Sequence, residues 1–100
     1  MIKFSDDYKI RAKIFKALGH PARLFIVELL DDDKQYCVND ITKLIGTDTS
    51  TVSRHLSVLK NSGIVGCEKR GLYVYYFLKI KCVNSFFVCV NEVIKGRRGE

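Results

Sequence analysis

Residues 47–63 read "TDTSTVSRHLSVLKNSG", and this stretch decides how the chain is understood. Asp48 ahead of Thr49 is a helix start, because a short oxygen acceptor satisfies the free amides of a first turn. Asn61-Ser62-Gly63 is a stop, with Gly63 free to adopt the left-handed cap. A helix over Thr49–Asn61 follows, yet Ser and Thr lose rotamer freedom in a helix or bond back to its backbone. On a helical wheel Leu56 and Leu59 fall within about 40° of Val52, and the three form the packing face. The opposite arc carries Ser50, Ser53, Arg54, Ser57, Lys60 and Asn61, and no acidic residue occurs between Thr49 and Asn61. Short hydroxyls let a backbone approach a surface closely while bonding phosphates or base edges, and Arg reads guanine bidentately. The composition of that face suits a DNA groove better than ordinary solvent.

The flanking sequence supplies a scaffold for such a helix. A first helix is expected from Ser5 or Asp6 to Leu18, and a second from Pro21 to about Leu30, with Pro suited to a first turn. "CVNDITKLIG" gives a short third helix closed by Gly46, and the turn at Thr47–Asp48 leads into the fourth. "IVGCEKRGLYVYYFL" reads as a β-hairpin turning around Lys69, Arg70 and Gly71. "CVNSFFVCVNEVIKG" is a closing helix followed by a basic tail. Helix–turn–helix followed by a basic-tipped hairpin is the arrangement that lays a helix in the major groove and a wing beside it. The expected fold is mainly α: a winged helix-turn-helix of five helices and a two-stranded wing, one domain over residues 1–100.

Composition narrows the partners. The chain has 100 residues, 47% of them apolar, and a net charge of +6. Residues 39–81 carry +4 of that excess, which favours a polyanion. No apolar run approaches the roughly 20 residues of a membrane span, and the N-terminus lacks the pattern of a signal peptide. A cytoplasmic protein is expected, whose four cysteines stay reduced. No Cys-x-x-Cys pair occurs, against a zinc ribbon or thioredoxin-like enzyme. His20, before Pro21, reads as a structural helix start. His55, at the edge of the apolar face, reads as partly buried and bonded to backbone or phosphate. Tyr73, Tyr75, Tyr76 and Cys67 read as strand packing. With no acid pair, no phosphate loop and no nucleophile beside a base, an enzyme is not expected. A winged-helix module that binds only protein is the rival class.

"FKALGHPARLFIVELL", "YCVNDITKLIG", "STVSRHLSVLKNSGIV" and "KRGLYVYYFL" together resemble the arsenic-repressor (ArsR/SmtB) family of winged-helix regulators, over about Ile14 to Leu78. The resemblance implies a homodimer held by the first and last helices. It also implies a pseudo-palindromic double-stranded operator and release on effector binding. Carried onto this chain, the DNA-reading positions are Thr49, Ser50, Thr51, Ser53 and Arg54, with the wing at Lys69 and Arg70; Ser57 and Lys60 join them from the helix wheel. No cofactor is required for DNA binding. The closing helix agrees independently, because Val83, Phe86, Phe87, Val88, Val90, Val93 and Ile94 cover more than one face.

The effector is read from the thiols. Where arsenic-sensing relatives open the third helix with Cys-Val-Cys, this chain has Cys37-Val38-Asn39. The Asp/His site of zinc and nickel sensors is missing, with no histidine after His55, and Glu28 stands about where persulfide sensors carry a cysteine. Cys37, Cys82 and Cys89 remain, soft ligands suited to As(III), Sb(III), Cd(II) or Cu(I). Seven helical residues rise about 10.5 Å, so Cys82 and Cys89 share an ion only if Cys82 precedes the helix and the chain folds back. Otherwise they serve different sites or act across a dimer. A redox or sulfur-responsive thiol switch on the same fold is the alternative.

Overall fold

The computed structural model describes residues 2–32 and 34–99, apart from the side chain of Asp32. Helices α1 (Asp6–Leu18), α2 (Pro21–Leu29), α3 (Val38–Ile45), α4 (Thr49–Asn61) and α5 (Val83–Arg98) surround strands β1 (Tyr36–Cys37), β2 (Val65–Arg70) and β3 (Tyr73–Leu78). A 3₁₀ turn, Leu30–Asp32, closes α2.

The two-stranded wing expected from sequence is β2 and β3, and a third strand that was not expected, β1, extends the sheet in the order β1-β3-β2. Tyr36 and Cys37 pair antiparallel with Tyr76 and Tyr75. Two residues followed at once by a helix leave no alternation to read, so this strand is invisible to sequence periodicity. The hairpin turn also shifts. Lys69 and Arg70 are still paired, opposite Val74 and Tyr73, and the loop is Gly71–Leu72. Gly71 has φ +61°, the left-handed value that two-residue hairpin loops favour. The expected basic tail is the last turn of α5, which runs through Arg97 and Arg98.

The core is built around α4. Val52, Leu56 and Leu59 are fully buried together with Ile26, Val27, Leu30 and Ile41 from α2, its following turn and α3. At the end of α4, Gly63 N–H donates to Lys60 O and Ile64 N–H to Leu59 O, the paired bonds of a Schellman cap. Gly63 takes φ +85° to make them. This cap drives Ile64 and Val65 straight into the core, each 1% exposed, so the wing starts from a fixed point.

α5 buries no residue fully, and Phe86, Val88, Val90, Val93 and Ile94 are exposed. Phe86 meets Phe15 of α1 edge to face at 5.8 Å. Among the described residues, no helix is long and apolar enough to cross a membrane.

Truncating the seam of α4 is expected to be severe. Leu56→Ala removes a fully buried side chain from a packed core and should cost about 2–5 kcal/mol in urea unfolding. A loss under about 1 kcal/mol, the range of tolerated core swaps, would show that α4 is not the centre of the core.

Candidate nucleic-acid interface

The polar face of α4 is set by its first turn. Asp48 caps the helix: Thr51 N–H donates to its Oδ1 at 2.7 Å and the Thr51 hydroxyl to its Oδ2 at 3.0 Å. These bonds, the backbone one first, hold the Asp48 carboxyl below its ordinary value. Thr51 is thereby a helix-start residue whose donor is already engaged. Thr49, Ser50, Arg54, Ser57 and Lys60 are exposed, and Ser53 is half-buried beside them. The expected surface of small hydroxyls and cations therefore exists, with Thr51 at its edge.

The wing cations part company. In a strand, successive side chains point to opposite faces, and the register pairs Lys69 with Val74 but Arg70 with Tyr73. Arg70 folds back over the Tyr75 ring, 5.7 Å from its centroid, and meets Glu68 at 3.3 Å. Both partners of that ion pair are about half exposed, so it contributes little and leaves Arg70 available to a phosphate. Leu72, at the tip, is 95% exposed.

Behind α4 lies a contact that sequence reasoning missed. His55 is buried, 9% exposed, and its Nδ1 lies 3.2 Å from Arg23 Nη1. Arg23 is always a donor, so His55 accepts at Nδ1. The partner is a side chain of α2, not the backbone or phosphate expected. The Arg23 Nε–H also donates to Ala17 O at the end of α1. His20 tilts against His55 with ring centroids 4.3 Å apart, and its Nδ1 accepts from Ala22 N–H as the cap of α2. His20 is thus the structural helix start that sequence suggested. Burial, followed by the charges of His20, Arg23 and Arg54, pushes His55 below its ordinary value of 6.5.

The three candidate thiols are dispersed. Cys37 is buried at the start of α3, where Asp40 Oδ2 accepts from its backbone N–H at 3.1 Å and lies 3.2 Å from its Sγ. Cys82 is exposed at the N-cap of α5 with helical dihedrals, φ −66° and ψ −15°, and Cys89 is exposed further along. The chain does not fold back at Cys82. Cys82, at the N-cap, and Cys89, within the helix, are therefore separated along the axis by a helical rise of about 10.5 Å, and the single-ion arrangement for that pair fails. Among the described residues, no three His, Cys, Asp or Glu side chains converge on a point suited to a metal. Cys67, half-buried on β2 opposite Tyr76, is strand packing.

A helix–turn–helix with a hydroxyl-rich outer face and a β-wing defines a winged-helix DNA-binding protein. A family model described as bacterial regulatory protein, arsR family, matches residues 20–66. An uncharacterized HTH-type transcriptional regulator of Methanocaldococcus jannaschii is 35% identical over 88 residues, covering 88% of this chain and 99% of that protein. The arsenical resistance operon repressor of Escherichia coli K12 is 36% identical over 97 residues, covering 90% of this chain and 83% of that protein. The solution structure of a homodimeric winged helix-turn-helix DNA-binding domain from Mycobacterium bovis superposes with a TM-score of 0.78. It is 28% identical, with 100% of this chain and 96% of that one covered. The chain belongs to the arsR family of bacterial regulatory proteins; it is a DNA-binding transcriptional regulator and not an enzyme.

The His55 contact predicts a pH dependence. A histidine depressed in the folded state is protonated first in the unfolded state, so the unfolded chain binds more protons below pH 6.5. Its stabilising contribution is complete above that pH and falls away as pH drops toward the folded value. Denaturation followed from pH 7.5 to 5 should show this decline in the native chain and a shallower one in His55→Gln. Identical slopes would mean that His55 is not held neutral by the fold.

Proposed function

We propose that this chain is a homodimeric repressor acting in the cytoplasm on a pseudo-palindromic operator, and that it is released when a soft metal or metalloid such as As(III) binds cysteine thiolates. The observation that carries the DNA reading is the outer face of α4: Ser50, Ser53, Arg54, Ser57 and Lys60 stand together with no acidic neighbour on the helix. Thr49 and Thr51 flank the first turn, and Lys69 and Arg70 lie along the wing. Arg54 has the fork needed for a guanine edge, while the wing cations are suited to phosphates. No cofactor is needed for this contact.

Homodimerisation is supported by the apolar side chains that α5 leaves exposed and by the homodimeric state of the M. bovis domain. The effector reading is supported by similarity to a repressor of arsenical resistance and by the soft donors Cys37, Cys82 and Cys89. Since one chain does not assemble these thiols, the ligand set that fits draws Cys37 from one protomer and an α5 thiol from its partner. The exposure of Cys82 and Cys89 also favours a second reading, a thiol switch driven by oxidants or sulfur species.

DNA binding is tested by anisotropy on duplex from upstream of the chain's own coding region. Arg54→Ala should lose about 1–3 kcal/mol and relax base preference at one position, whereas Lys69→Gln should weaken all sequences alike and lower the salt slope by about 0.9. Absence of duplex binding at low salt would overturn the repressor.

The effector is tested by titrating arsenite into that complex under reducing conditions. Release near stoichiometry, abolished in Cys37→Ser or Cys89→Ser, is the expected result. Binding unmoved by arsenite, antimonite and cadmium but lost on oxidation would replace the metalloid reading with the thiol switch.

A further inference from the structure

Between α1, the start of α2 and the end of α4 lies a cleft of about 410 Å³ lined by Lys13, Lys16, Arg23, Asn61 and Ser62, with no acidic residue among the described residues of its wall. Lys13 and Lys16 are three apart on α1 and share a face. Neither makes an ion pair or hydrogen bond among the described residues. Arg23 is partly buried and has no carboxylate partner among the described residues. Its Nε–H goes to Ala17 O and its Nη1 to His55, and Nη2 has no acceptor among the described residues. Three positive charges thus face one concavity without a counter-charge among the described residues, which is an unusual state for a partly buried guanidinium.

Helix C-termini are the ordinary explanation for cations, since free carbonyls there attract them. That explanation is largely used up here. Lys16 O and Leu18 O accept from Gly19 and His20 N–H, and Ala17 O from Arg23. On α4, Val58 O, Leu59 O and Lys60 O accept from Ser62, Ile64 and Gly63 N–H. The carbonyls beside the cleft already have donors, and neither ammonium group has a protein acceptor among the described residues.

We propose that this cleft binds a phosphate-class oxyanion, held by Lys13, Lys16 and the free edge of Arg23, with the exposed Asn61 amide as a neutral donor. Two ammonium groups and a guanidinium match a divalent tetrahedral anion better than a single carboxylate. Because Arg23 also holds His55, occupancy of the cleft acts on the recognition helix from behind. Two sources carry this chemistry: a free phosphate-bearing solute, or a backbone phosphate of bound DNA.

The test replaces chloride with inorganic phosphate at constant ionic strength and follows thermal unfolding of the DNA-free protein. A saturable rise in melting temperature, absent in a Lys13→Gln/Lys16→Gln variant that melts normally in chloride, assigns the site to a free anion. In a second arm the same variant is titrated onto operator DNA. A salt slope lowered by about 0.9–1.8, one or two phosphate contacts, assigns it to the DNA backbone. If phosphate gives no rise beyond chloride and the salt slope is unchanged, the proposal is overturned. The first arm uses no DNA, so its outcome is independent of the repressor reading.

Discussion

The complete burial of Val52, Leu56 and Leu59 is the constraint on which the rest of the structure depends. Three side chains on one arc fix the rotation of α4 about its own axis. Every polar residue on the opposite arc is then aimed outward with no further instruction. The ends of the helix are equally determined, by the Asp48 carboxylate at one and the left-handed Gly63 at the other. A helix held in rotation and in length presents Ser50, Ser53 and Arg54 at fixed positions, as a groove-reading surface requires. The wing inherits the same precision, because the cap at Gly63 delivers Ile64 and Val65 directly into the core.

The rear of α4 is secured by electrostatics of an unusual kind. A buried imidazole accepts from an arginine that has no carboxylate partner among the described residues, and a second histidine lies against it. The arrangement holds only while His55 is neutral, which its burial favours. Arg23 ties the end of α1, the first turn of α2 and the middle of α4 to one guanidinium. Any charge that enters this region is felt by all three helices at once. The same Arg23 therefore links the proposed oxyanion cleft to the surface that would meet DNA.

Much of this was legible in the sequence, for identifiable reasons. The bounds of α4 follow from Asp48 and Gly63, whose chemistry is local, and its two faces follow from periodicity. That α5 carries apolar side chains on more than one face was equally plain in the spread of Phe86, Val88, Val90 and Val93. What escaped was non-local. β1 is two residues long and exists only because Tyr36 and Cys37 find Tyr76 and Tyr75, nearly forty residues on. The Arg23–His55 contact spans thirty-two positions, and nothing near His55 announces it. The carboxylate beside Cys37 was closer to hand, since Asp40 stands at the third position of α3, where a side chain reaches back to the cap. Lys69 and Arg70 were correctly placed on the wing. Their opposite faces, however, required the register, which a turn set two residues early could not supply.

The position of the thiols bears on how such a regulator would switch. Cys82 caps and Cys89 sits on α5, the helix whose apolar side chains remain exposed and which the proposed dimer would cover. Cys37 sits where β1 becomes α3, joined through Tyr75 to the wing and through α3 to the packing of α4. A ligand that bridged these two places would connect the dimer contact with the DNA-reading unit. Two half-sites are read together only if the two α4 helices stand about one helical turn of DNA apart, roughly 34–36 Å. A change in how α5 meets its partner would alter that separation while leaving each recognition surface intact. Linkage makes the effect reciprocal: DNA that holds the helices at the right spacing weakens the ligand by the factor by which the ligand weakens DNA. In that scheme the sparse thiol set of the single chain is no deficit, because a ligand shared between two chains couples directly to how they are arranged.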